Sequence, residues 1–145
     1  MFSGAYEHSV DGKGRTVIPA KFRNKLGPSF VITRGLGGCL WVFGEGTWSE
    51  VQRGLMPKSF MDVRGLKLER YFLGAACECV PDKQGRVALP QMLLDHASIK
   101  PGDEIWFVGL SDKIEIWSKP GWAAFNAGLT EEEIERLGRD APSSS

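Results

Sequence analysis

Asp11-Gly12-Lys13-Gly14-Arg15-Thr16-Val17-Ile18-Pro19 decides the fold, because the chain repeats it 71 residues later as Asp82-Lys83-Gln84-Gly85-Arg86-Val87-Ala88-Leu89-Pro90. Asp, Gly, Arg and Pro keep their places, the apolar positions are kept in kind, and Glu7 falls on Glu78 upstream. A repeat at this spacing marks a duplicated structural unit. The echo continues downstream. After each Pro comes a short amphipathic run, with Phe22 and Leu26 in the first copy and Leu93 and Ala97 in the second, four apart on one helical face. Two strand-like runs follow in each copy, Phe30 to Thr33 with Leu40 to Phe43, and Ile105 to Val108 with Ile114 to Trp117. Trp48 and Trp122 close the units, at an offset that a small loop insertion stretches to 74.

In the first motif, Asp11-Gly12 is a turn signal: the carboxylate can accept from amides just ahead of it, and Gly takes positive φ without a Cβ clash. Ala5 to Val10 reads as the strand that feeds the first turn, which puts Lys13 at the tip and Arg15 where the return strand starts. Pro19 has no amide proton for a ladder, so the strand stops there, and its fixed φ suits the first turn of a helix over Ala20 to Leu26. Gly27-Pro28 ends that helix. Gly35 to Gly38 is the turn of a hairpin between two strands, so it lacks the helix N-terminus a phosphate loop needs.

Between the copies, Thr47-Trp48-Ser49-Glu50 has the form of a capping box and predicts a helix to about Met56. Ser59-Phe60-Met61-Asp62 is a second such box before a helix over Val63 to Leu73. Beyond the second copy a helix is expected from about Gly121. Another follows Leu129-Thr130-Glu131-Glu132-Glu133-Ile134, which combines a capping box with a hydrophobic staple, with Gly138 as its stop. Ala141 to Ser145 is expected to be disordered. The fold class expected is mainly β with short helices (α+β). Two βαββ repeats, over 5–49 and 76–122, interleave into one small barrel because neither has the strands or apolar area to stand alone. A helical linker over 50–75 and a C-terminal helix and tail over 123–145 complete the chain.

Apolar residues make 42% of the chain and charged residues 25%, the balance of an ordinary globular protein. No apolar run is long enough to span a bilayer, and Met1 to Tyr6 has neither the basic start nor the apolar core of a signal peptide, so a cytoplasmic protein is expected. Net charge is zero, but it is unevenly spread. Residues 1–44 hold Lys13, Arg15, Lys21, Arg23, Lys25 and Arg34 against Glu7 and Asp11, a balance of +4, whereas residues 121–145 balance at −3. The positive field belongs to the first copy, which points to divergence of the two in role.

Two readings of Asp11-x-x-x-Arg15 and Asp82-x-x-x-Arg86 stand. In one, Asp and Arg only fix the turn through a charge-assisted hydrogen bond. In the other, the turn fixed by Asp11 and Gly14, or by Asp82 and Gly85, projects its cations at nucleic acid. A guanidinium can bond O6 and N7 of guanine together, while Lys serves as a point charge on phosphate. Lys21, Arg23 and Lys25 either extend the phosphate contact along the next helix or form its solvated face. His8, Cys77 and Cys79 fall at matching strand positions and lack zinc-site spacing, so no metal site is expected. His8 and His96 form no nucleophile and base pair with any serine, and no enzyme or cofactor is expected. The three cysteines, an odd number, read as free thiols, and the tryptophans as packing residues.

Asp11 to Arg15 with Ile18-Pro19, its copy Asp82 to Arg86 with Leu89-Pro90, the lead-in Tyr6-Glu7-His8 and the segment Ile114 to Lys119 together resemble the bacterial MraZ family, of the swapped-hairpin SpoVT-AbrB group. The resemblance runs from the start of the chain to about Trp122. It implies a transcriptional regulator, usually a repressor, of the cell-division and cell-wall operon that holds its own gene. It also implies homo-oligomeric rings that bind short direct repeats of double-stranded DNA through the D-x-x-x-R loops; nucleoid association is expected with it, and Lys13, Arg15, Lys21, Arg23 and Arg86 are the candidate contacts. Such proteins commonly carry a basic residue soon after Pro90, whereas Leu94 stands here where Arg23 stands in the first copy. No membrane or small-molecule substrate is implied. The competing expectation is an assembly or protein-binding module of antitoxin-like type.

Overall fold

The computed structural model describes residues 1–140, so the expectation for Ala141 to Ser145 lies outside the described residues. The elements run β1 (Phe2–Ser9), β2 (Arg15–Val17), α1 (Ala20–Leu26), β3 (Phe30–Arg34), β4 (Leu40–Gly44), α2 (Glu45–Leu55), α3 (Val63–Phe72), β5 (Cys77–Cys79), β6 (Arg86–Ala88), α4 (Gln91–His96), β7 (Glu104–Ser111), β8 (Lys113–Ser118), α5 (Lys119–Ala127) and α6 (Glu131–Asp140). This is an α+β chain, mainly antiparallel sheet with several short helices.

Pairing crosses between the two copies. Six strands lie in the order β1-β7-β8-β4-β3-β5, and β2 pairs with β6 in a separate two-stranded ribbon. Ladder partners include Phe2 with Ser111 and Ser9 with Glu104 between β1 and β7, Leu40 with Ile116 between β4 and β8, and Phe30 with Cys79 between β3 and β5. The main core draws on both copies for the same reason: Ile32, Leu40, Leu93, Ile105, Phe107, Ile114 and Ile116 are wholly buried in it. Phe22 and Leu26 of α1, Leu93 of α4 and Ala97 just past its end sit on that core, as their four-residue spacing predicts.

β1 begins three residues earlier than the sequence suggests. Phe2 is buried and packs edge-to-face on Phe22 at 5.7 Å, and Gly4, at φ +91°, lies opposite Gly109. A Cβ on Gly109 would stand 2.4 Å from the Ser3 backbone nitrogen, so only glycine lets the strands approach this closely.

Four helix ends differ from expectation. α2 starts at Glu45 after the extended Gly44 and uses no side-chain cap, which leaves Thr47 inside the helix. α3 is capped by Asp62, whose carboxylate accepts from the Gly65 amide at 3.1 Å; Ser59 bonds the Met61 amide instead. α5 starts at Lys119, because Ser118 caps the Gly121 amide at 3.0 Å and Pro120 fits the first turn. α6 has the expected cap, Thr130 Oγ1 accepting from the Glu133 amide at 3.1 Å, but runs through Gly138 to Asp140.

One charged group lies within the tryptophan cluster. Glu115 is 9% exposed and accepts from Trp41 Nε1 at 2.8 Å, Trp117 Nε1 at 2.9 Å and the Cys39 thiol at 3.4 Å. Burial and the neighbouring Glu115 carboxylate hold the Cys39 thiol well above its ordinary ionisation range. Two indole donors and a thiol thus supply the hydrogen bonds that a buried carboxylate requires.

Candidate nucleic-acid interface

Each turn is built by one carboxylate. Asp11 Oδ1 accepts from the amides of Lys13 and Arg15, both at 2.9 Å, and Oδ2 accepts from Arg15 Nε at 2.8 Å. Asp82 repeats the arrangement, with Oδ1 taking the amides of Gln84 and Arg86 at 2.9 Å and Oδ2 taking Arg86 Nε at 2.8 Å. Backbone bonds between the Asp and Arg of each turn close the loops at 2.8 and 2.9 Å. Gly14 and Gly85 take φ of +77° and +80°, the left-handed region where L side chains are strained. The Arg15 amide, with the Lys13 amide and the Arg15 guanidinium, holds the Asp11 carboxyl below the usual carboxylate range, and the Arg86 amide and guanidinium do the same for Asp82.

Each guanidinium bonds its Asp through Nε, and among the described residues its two terminal amino groups have no hydrogen-bond partner, which leaves them for another. The Arg15 and Arg86 side chains are 28% and 31% exposed, so the two copies present their forks alike. The ribbon brings the turns together: Arg15 pairs with Ala88, Thr16 with Val87 and Val17 with Arg86. Thr16 and Val87 are buried beneath it, and both arginines line one groove of about 700 Å³ with Glu7, Asp11 and Glu104. Lys119 spans the acidic side of that groove, 2.6 Å from Glu104 and 3.4 Å from Glu7. Nothing in the sequence spacing points to that bridge, since it depends on β1 lying beside β7.

Lys13 is exposed at the tip of the first turn, and in the second copy Lys83 stands one position earlier, with Gln84 in the place of Lys13. The other basic residues of the first copy are tied locally. Lys21 lies 5.6 Å over the Tyr6 ring, Arg23 Nη2 donates to the Ile18 carbonyl at 3.1 Å, and Lys25 donates to the Met1 carbonyl at 2.8 Å. Arg34 donates to the Tyr71 and Arg70 carbonyls, where it complements the C-terminus of α3.

Leu94, the counterpart of Arg23, is 3% exposed and belongs to the core. A Cβ on Gly14 would lie 3.4 Å from its Cδ1, and the Leu89 amide bonds the Gly14 carbonyl at 2.9 Å. The second copy thus puts an apolar support under the first turn where the first copy carries a cation. His8 and His96 both face backbone carbonyls. Among the described residues no group of three or more His, Cys, Asp or Glu could hold a metal ion, and no helix is long and apolar enough to cross a membrane.

Two consecutive stretches, residues 1–68 and 72–140, match the family model described as "MraZ protein, putative antitoxin-like". The chain belongs to the MraZ family. Among its relatives, "Transcriptional regulator MraZ" of Thermoanaerobacter sp. (strain X514) is 43% identical over 138 residues, covering 92% of this chain and 94% of the relative. The protein of the same name from Limosilactobacillus fermentum is 45% identical over 125 residues, 86% of each chain. That from Desulforamulus reducens is 40% identical over 137 residues, 94% of each. MraZ relatives bear the name of transcriptional regulators, so the family is not one of enzymes.

Proposed function

We propose that this chain is a DNA-binding regulator of transcription whose paired turns face the double helix. The observation that supports it is the ribbon itself, which sets two copies of one Asp-clamped arginine turn side by side. In this reading Arg15 and Arg86 address base edges or phosphates, Lys13 contacts phosphate, and Lys21 and Arg23 extend the contact along α1. Asp11, Gly14, Asp82 and Gly85 fix the turns. The units over 5–49 and 76–122 thus act as one reader.

A single pair of turns makes few phosphate contacts and binds weakly at physiological salt. Several pairs on a homo-oligomeric ring, meeting short direct repeats, act together through high effective concentration. Phe60 and Met61 in the segment between α2 and α3 are 87% and 73% exposed, which favours a surface covered by another chain. The target proposed is the promoter of the cell-division and cell-wall operon containing the chain's own gene, with repression as the outcome and the nucleoid in the cytoplasm as the place. That same apolar segment, with the antitoxin-like description of the family, favours a second reading as a protein-binding module.

Fluorescence anisotropy separates the two, using duplex DNA from upstream of the gene and a scrambled duplex across a salt series. Preference for the upstream duplex, weakening steeply with salt, is the regulator's signature. Equal and salt-insensitive binding to both would leave the protein-binding module.

A further inference from the structure

Cys77 and Cys79 take no part in the site described above. They stand on β5, a three-residue strand at the end of the ladder, opposite Ile32 and Phe30 of β3. Alternate residues of a strand share one face, and the two Sγ atoms lie 3.9 Å apart. Cys77 is half-buried and Cys79 buried. Both line a groove of about 320 Å³ together with Asp82, Arg15 and Arg86.

The spacing is informative. It is far longer than a disulfide bond, about 2.05 Å. Two thiolates bound to one soft ion at about 2.3 Å lie about 3.8 Å apart at the tetrahedral angle and about 4.0 Å apart at the trigonal one. The observed separation falls between these, so both sulfurs can reach one ion with little movement of the strand. Paired thiolates favour soft, thiophilic ions such as Cu(I). Structural zinc needs four ligands, and among the described residues no third His, Cys, Asp or Glu joins the pair.

We propose that Cys77 and Cys79 form a two-thiolate site for monovalent copper in the groove flanking the turn ribbon. On binding, two S–H bonds break and two Cu–S bonds form, both protons pass to solvent, and the copper stays Cu(I). An exogenous thiol that enters the groove loses its own proton to solvent and adds a third copper–sulfur bond, which completes a trigonal set. The site stands whether or not the ribbon reads DNA.

The test is an anaerobic titration of the full chain with Cu(I) in competition with the chromogenic chelator bicinchoninate, followed by X-ray absorption of the loaded protein. The expected result is retention of about one copper per chain with copper–sulfur distances of about 2.3 Å. Cys77→Ser, at a half-buried position, should weaken retention by at least about tenfold, with its circular dichroism unchanged. Cys39→Ser should leave retention intact, because Cys39 lies in the separate tryptophan cluster. Surrender of all copper by the wild-type chain to the chelator would overturn the proposal. Loss in Cys39→Ser with none in Cys77→Ser would do so too, as would stoichiometric zinc binding in place of copper.

Discussion

Replacing Arg15 by Ala tests the division of labour between the turns, with Arg86→Ala as its partner. The clamps are alike, each using Nε for Asp at 2.8 Å and leaving two amino groups free, so turn geometry alone gives no reason for unequal effects. The surroundings do. Lys13 is exposed at the tip of the first turn where Gln84 stands in the second, and the buried Leu94 of the second copy supports Gly14 of the first. Loss of one well-placed guanidinium contact costs about 1–3 kcal/mol, or about 5- to 150-fold in affinity for each engaged turn. If the contact is to phosphate, the slope of log affinity against log salt should also fall by about 1 per turn. Arg15→Ala is expected within that range and Arg86→Ala below about fivefold, both read by anisotropy on upstream DNA. Both side chains are partly exposed and paired at the surface, so thermal midpoints should move little. Equal losses, or a greater one at Arg86, would refute the first copy as the principal reader.

The carboxylates that build the turns have a pH signature. Since hydrogen bonding lowers the folded pKa of Asp11 and Asp82, their stabilisation is complete above the unfolded carboxylate value of about 4 and fades as pH falls through the lower folded value. The Asp11→Asn/Asp82→Asn variant should therefore show a flatter profile of thermal midpoint against pH in that acid window, and profiles parallel to wild type would contradict the assignment. Glu115→Ala should strand two indole donors, at about 1–3 kcal/mol each if they stay dry, and shift tryptophan emission; urea unfolding with an unchanged midpoint would count against the buried network. Gly109→Ala should force β1 and β7 apart and destabilise the chain by about 1–3 kcal/mol, with faster amide exchange over residues 2–5. Unaltered exchange there would mean the close approach is not required.

Turns and short helices were legible because their determinants are local. Asp11, Gly14 and Arg15 lie within five residues of one another, and Phe22 with Leu26 reports one helix face directly. Partners across the sheet are different. Nothing near Ala5 announces that β1 will lie along β7, so the Gly4 and Gly109 contact and the Lys119 bridge were invisible. Helix starts moved for a similar reason: Gly44 turns straight from β4 into α2, so the apparent box at Thr47 is unused. The Arg23 and Leu94 contrast was visible in the sequence as a departure from the repeat. Its physical sense, a core side chain beneath Gly14, required the fold. Glu115 resembled any other strand charge until Trp41 and Trp117 were found on either side of it.

The central claim is that the β2–β6 ribbon is the face that meets DNA. Covalent footprinting of lysines and arginines, read by mass spectrometry with and without upstream duplex, tests it most directly. The account predicts that Lys13, Arg15 and Arg86 become protected while Lys58, Arg64 and Lys67, before and within α3, react as before. Protection of those three residues with the turns still reactive would contradict it.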